Sequence, residues 1–141
     1  MKFNYLKKLM VTSLLACAYL PLSGDDQALQ IAERFITTFY SWDRSALQEQ
    51  MTENDDHQAV IYYQGWAEGG NYAIKIRRPC LLENDAISCS ITVTDNFGQA
   101  MGYIATDTFR LLISNGQISE VTFTADDPLI FEELQQWIMT E

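Results

Sequence analysis

Apolar positions recur along this chain with two different periods, and the change of period divides it. Between residues 27 and 41, Leu29, Ile31, Ala32, Phe35, Ile36, Phe39 and Tyr40 fall on one helical stripe. Asp43 is placed to cap a second short helix with Ala46, Leu47 and Met51 on one side. Residues 52–56 form a polar break. Residues 57–68 carry Val60, Ile61, Tyr63 and Trp66 and predict a third helix that stops at Gly69-Gly70.

From there the period becomes two. Ile74, Ile76, Cys80 and Leu82 share one side of a first long strand, provided it stays regular through Pro79. A proline has no N–H to give a ladder, so this strand lies at an edge or carries a bulge. The next strand alternates Ile87, Cys89, Ile91 and Val93 with Ser88, Ser90, Thr92 and Thr94. A two-residue turn at Asn84-Asp85 sets Cys80 opposite Cys89, at a non-hydrogen-bonded position where Cα atoms approach to about 4.5 Å. That spacing suits a disulfide. Residues 95–99 read as a loop. A third strand runs from about Met101 to Ile113 and a fourth from about Gln117 to Ala125. For the last hairpin, a three-residue loop with Gly116 left-handed pairs Phe109 with Val121, Asp107 with Phe123 and Arg110 with Glu120. This register keeps core against core and pairs opposite charges. Asp127 and Pro128 then start a final helix whose apolar positions are Leu129, Phe131, Leu134, Trp137 and Ile138.

Helices, then a run of antiparallel strands, then a helix make an α+β fold. The helices cover one sheet face and leave a Ser/Thr-rich back, with Leu112 and Ile118 among the hydroxyls. The chain has 141 residues, enough for one domain with a real core. Its net charge is −10, so the basic footprint that nucleic-acid binding needs is missing.

The N-terminus reads as an export signal over residues 1–24, followed by one domain over 25–141. Lys2, Lys7 and Lys8 precede an apolar run from Leu9 to Leu20 that is too short to span a bilayer. Cleavage after Gly24 leaves six basic residues against nineteen acidic ones, a net charge of about −13. It also leaves an even pair of cysteines, which suits a periplasmic or secreted protein. Leu14-Leu15-Ala16-Cys17 competes as a lipobox, and lipidation of Cys17 would anchor the protein to a membrane.

The chain resembles the nuclear transport factor 2-like superfamily, specifically its SnoaL-like and ketosteroid-isomerase-like members, over about residues 26–141. The resemblance rests on Phe39-Tyr40-Ser41-Trp42, on Tyr62-Tyr63-Gln64-Gly65-Trp66 and on the strand from Ser88 to Asp95. Gly102, Asp107-Thr108-Phe109 and Asn115-Gly116-Gln117-Ile118 continue it. It implies a cone-shaped α+β barrel, with helices packed on a strongly bent antiparallel sheet around an apolar pocket. It also implies frequent homodimerisation through the sheet. Members include enzymes acting on steroid and polyketide-type substrates, and many that are not enzymes.

Asp107 is the sharpest candidate for chemistry. It lies on the apolar side of the third strand, where burial should raise its pKa and suit it to act as general acid or base. Tyr40, Tyr62, Tyr63, Trp66, Tyr72 and Tyr103 are candidate pocket residues, with Phe109 and Phe123 on the same sheet face. A phenol there offers a ring to stack on and a donor for a developing oxyanion. His57 is the single histidine, which excludes multi-histidine metal sites, and it reads as a solvated residue near a helix cap. No nucleophile elbow, P-loop or dinucleotide fingerprint is present, so no cofactor is implied. Lys75, Arg77 and Arg78 read as charges that balance nearby carboxylates.

Three functional readings follow. The first is an exported domain that binds a small apolar ligand or a partner protein without catalysis. The second is an isomerase- or cyclase-like enzyme that moves a proton next to a carbonyl, with Asp107 as base. The third is a dimeric interaction module of the cell envelope with a filled core.

Overall fold

The computed structural model describes residues 23–126 and 129–140. Nearly all of the export-signal segment, Cys17, the Asp127–Pro128 helix start and the side chain of Phe131 lie outside the described residues. Helices α1 (Gly24–Phe39), α2 (Arg44–Glu49) and α3 (Asp55–Gly69) come first. Strands β1 (Ala73–Arg77), β2 (Leu81–Glu83) and β3 (Ala86–Thr94) follow, then α4 (Asn96–Met101), β4 (Ala105–Ser114), β5 (Gln117–Ala125) and α5 (Leu129–Thr140). The sheet is antiparallel and open, with β3 paired to both β1 and β2 on one side and to β4 on the other, and β5 at the far edge.

Each early helix starts on a side-chain cap. Ser23, Asp43 and Asn54 accept from the backbone N–H of Asp26, Ala46 and His57 at 3.1, 3.0 and 3.0 Å. These bonds satisfy donors that a helix start would otherwise leave unpaired. The stripe of α1 buries Ala32, Phe35, Ile36 and Phe39 against the sheet. Phe109 of β4 closes the core, with ring centroids 5.8 Å from Phe35, 5.0 Å from Phe39 and 5.1 Å from Phe123.

The inward face of β3 is as its alternation indicates: Ile87, Cys89, Ile91 and Val93 are all buried. Leu81, Leu82 and Glu83 face Ser88, Ile87 and Ala86, which is the register of the Asn84-Asp85 turn. Cys80 and Cys89 form a disulfide with their Cα atoms 4.3 Å apart.

Four expectations need correction. The first long strand is two short edge strands separated by Arg78-Pro79-Cys80, and its bulge falls between Ile74 and Ile76. Cys80 is buried, whereas Ile74, Ile76 and Leu82 are exposed, so they do not share its environment.

Residues 96–101 are helical, not a loop or strand. Asp95 caps them by accepting from the Gly98 N–H at 2.6 Å, and Gly102 ends them in a left-handed conformation (φ 82°). β4 therefore starts only at Ala105.

The last hairpin turns on two residues, Asn115 (φ 51°) and Gly116 (φ 77°), whose left-handed backbones suit a tight hairpin turn. A bulge then shifts the register between Leu112 and Ile113. Phe109 faces Phe123, Leu111 faces Val121, and Asp107 faces Ala125. Core still meets core, but two residues out from the expected pairing. The bulge also moves Ile118 to the inner face, where it is 1% exposed instead of standing on the hydroxyl-rich back. There Ile118 bonds across to the α2–α3 connection: its N–H donates to the Gln50 carbonyl at 2.9 Å, and its carbonyl accepts from the Thr52 N–H at 2.8 Å.

Finally, α3 buries His57, Val60, Gln64 and Ala67, while Tyr63 and Trp66 are exposed. His57 is 9% exposed and so is not a solvated cap residue. α5 turns Ile130, Leu134 and Trp137 inward, one turn apart, and leaves Leu129 and Ile138 exposed.

Candidate functional site

Asp107 sits on the inner face of β4 between Ile91 of β3 and Ala125 of β5, and is 4% exposed. The last residue of α1's final turn reaches it: the Tyr40 hydroxyl donates to Asp107 Oδ2 at 3.0 Å. Burial dominates its ionisation and pushes its pKa up to about 6. The Tyr40 hydrogen bond pulls the other way, while Asp126 and Asp95 add to the rise. The Tyr40 phenol is held far above its usual range by burial and by the Asp107 charge. Tyr72 feels both Asp107 and Asp95, and its pKa is also raised, first by burial. The influence of Trp66 partly offsets that rise.

A cavity of about 400 Å³ opens beside this group. Gly65, Trp66, Gly69 and Gly70 of α3 and its end form one wall, and Asp95, Phe97, Tyr103 and Leu134 the others. Its volume is within the range of small-molecule sites. The local sequence explains the space. At the end of α3 a Cβ added at Gly69 would meet nothing within 4 Å, whereas one at Gly65 would meet Arg44 at 3.6 Å and one at Gly70 the Tyr72 ring at 3.0 Å. The Asp95 cap and the α4 turn then present Phe97 and Tyr103 across the gap. Tyr103 donates to Asp95 Oδ1 at 3.3 Å, and burial followed by the Asp95 charge pushes its pKa up to about 12.

Two other hollows differ in kind. A groove of about 690 Å³ is walled by α5 alone (Glu132, Gln135, Gln136, Met139, Thr140) and is open surface. A wedge of about 270 Å³ lies between the start of α1 and the β2–β3 hairpin.

The candidate pocket residues therefore separate into three places. Trp66 and Tyr103 line the cavity. Phe109 is central core, and Tyr40 bridges that core to Asp107. Tyr63 stacks on Phe123 at 5.1 Å along the α3 side of the sheet. Asp107 is not among the lining residues. Asp95, Phe97, the three glycines and Leu134 were not recognisable as site residues from the sequence. Asp95-Asn96-Phe97-Gly98 does carry a cap-and-turn signal that marks where the strand must break. Two of the three basic residues are engaged locally, one of them with a carboxylate: Arg77 pairs with Glu33, and Arg78 donates to the Thr92 hydroxyl at 3.2 Å. Among the described residues no cluster of His, Cys, Asp and Glu could hold a metal ion.

No known family's sequence profile matches this chain, and no curated protein matches it by sequence. Solved structures do match. AclR, a candidate hydroxylase from Streptomyces galilaeus, superposes with a TM-score of 0.60 at 13% identity, over 80% of this chain and 87% of its own. A candidate SnoaL-like polyketide cyclase from Jannaschia sp. CCS1 gives 0.59 at 17% identity, over 81% and 94%. An NTF2-like protein of unknown function from Cytophaga hutchinsonii gives 0.52 at 12% identity, over 80% and 98%. The chain has the NTF2-like fold, and at these identities the likeness extends to the fold alone.

Proposed function

We propose that this chain is an exported NTF2-like domain that binds a small ligand with an apolar body, in the cavity between α3, α4 and α5, without catalysing a reaction on it. The cavity itself carries this reading. It is of ligand size, and among the described residues it is lined by aromatic residues, glycines, Leu134 and a single carboxylate. The absence of catalysis is supported by the position of Asp107. Its Oδ2 is occupied by Tyr40 and it lies outside the cavity lining. Enzymes of this chemistry need an acid and an oxyanion donor within about 3 Å of the reacting atom. Export is supported by the Cys80–Cys89 disulfide, which is compatible with an oxidising compartment.

The test fills the cavity. Gly69→Leu puts a side chain where a Cβ meets no neighbour. The neutral fluorescent probe N-phenyl-1-naphthylamine should bind the native protein at one saturable site. The variant should stay folded and lose at least tenfold in affinity. Equal binding to both would place the probe elsewhere and overturn the reading.

One observation favours a second reading, proton transfer next to a carbonyl with Asp107 as base: a buried acid with its pKa raised to about 6, beside two phenols. Ketones that displace the probe should then exchange their α-hydrogens for deuterium in heavy water, and Asp107→Asn should abolish the exchange. No exchange above the buffer rate removes this second reading.

A further inference from the structure

The cavity's hydrogen-bonding groups are unequal, and this restricts what can occupy it. Among the described residues that line it, only two side chains, Trp66 and Tyr103, carry a hydrogen-bond donor. Tyr103 gives its O–H to Asp95 Oδ1. Two backbone donors at the site are also engaged: Gly70 N–H donates to the Trp66 carbonyl at 2.9 Å, and Gly98 N–H to Asp95 Oδ1. Both recorded bonds to Asp95 fall on Oδ1, and no donor among the described residues reaches Oδ2.

Among the described residues the lining contains no lysine, arginine or histidine. Arg44 approaches Gly65 from the α2 side, but Glu68 holds it at 3.1 Å. Trp66, Phe97 and Tyr103 line the cavity with a carboxylate, and aromatic residues attract a positive charge that reaches their ring faces, because the face is the ring's negative side. The Tyr103 hydroxyl, given to Asp95, is not free for a ligand carbonyl or carboxylate, and a buried unpaired polar group is costly.

We propose that the ligand of this cavity is an organic cation, an ammonium group on an apolar body. The ammonium faces Asp95 Oδ2 and the rings of Trp66 and Tyr103, and the body extends along the glycine wall toward Leu134. This rests on the binding reading above and narrows it. The net charge of −10 acts in the same direction, drawing cations toward the protein.

Three probes with one ring system separate the outcomes: 1-naphthylmethylammonium, 1-naphthylmethanol and 1-naphthoate, each titrated calorimetrically into the native protein and into Asp95→Asn. Asparagine also caps helices, so α4 keeps its start. The cation should bind at least about tenfold tighter than the alcohol and the anion weakest of the three. Asp95→Asn should cut the cation's affinity about tenfold and erase its advantage. If the alcohol binds as tightly as the cation, the cation proposal fails and the binding reading stands. A preference that survives in Asp95→Asn also overturns the proposal. If none of the three binds, both readings fall.

Discussion

Asp107 is the residue at which burial and charge conflict most directly. Its folded pKa of about 6 lies above its ordinary value of 3.8. A carboxyl whose pKa rises on folding binds its proton more tightly when folded, so its contribution runs opposite to that of a salt-bridged acid. Below about pH 4 the group is protonated in both states and carries no penalty. As pH rises toward 6 the unfolded chain ionises first, and the folded state is progressively disfavoured. The full cost above pH 6 is roughly 3 kcal/mol by linkage. Asp107→Asn keeps an oxygen for Tyr40 and removes the charge. Urea unfolding should find the variant equal to the native protein near pH 4 and more stable by about 1–3 kcal/mol at pH 7.5. A stability difference that does not change over this range would mean that Asp107 does not titrate there. The sequence placed this residue on the apolar face because every second residue of the strand around it is apolar. It could not name Tyr40 as the partner, because that contact joins residues far apart in the chain.

At the scale of elements, local patterns determined what was legible. The Asn84-Asp85 turn and the alternation of β3 set the first hairpin, and the cysteines fell opposite one another as a consequence. The disulfide closes a loop with a sequence separation of 9. Closing a loop of that length restricts the unfolded chain by about 2.5 kcal/mol. Replacing Cys80 and Cys89 together with alanine should lower stability by about that amount, and the intact mass of the native protein should rise by two hydrogens on reduction. Free thiols in the unreduced protein would contradict the bridge. The β4–β5 hairpin was less legible. Its turn residues permit either a two-residue or a three-residue loop, and side-chain pairing favoured the latter. The observed bulge beside Leu112 and Ile113 was invisible in sequence because it inserts one residue, Ser119, without any glycine or proline to mark it. The α4 helix was missed for a related reason: six residues are too few for a periodic signal, and only the Asp95 cap and Gly102 stop mark its ends.

The molecule as a whole is a filled core with an open end. Phe35, Phe39, Phe109 and Phe123 occupy the space between α1 and the sheet, and the remaining room lies where α3 runs out in glycines. The fold class was readable because it depends on the order and period of elements. The cavity was not, because it depends on which side chains are missing from a wall. The aromatics that looked most like a pocket were divided between core, surface and cavity for the same reason. The most direct test is the titration of N-phenyl-1-naphthylamine into the native protein and into Gly69→Leu. Saturable binding at one site per chain, weakened at least tenfold by the leucine, is the result predicted. Undiminished binding to a folded Gly69→Leu variant, or no binding to the native protein, would contradict it.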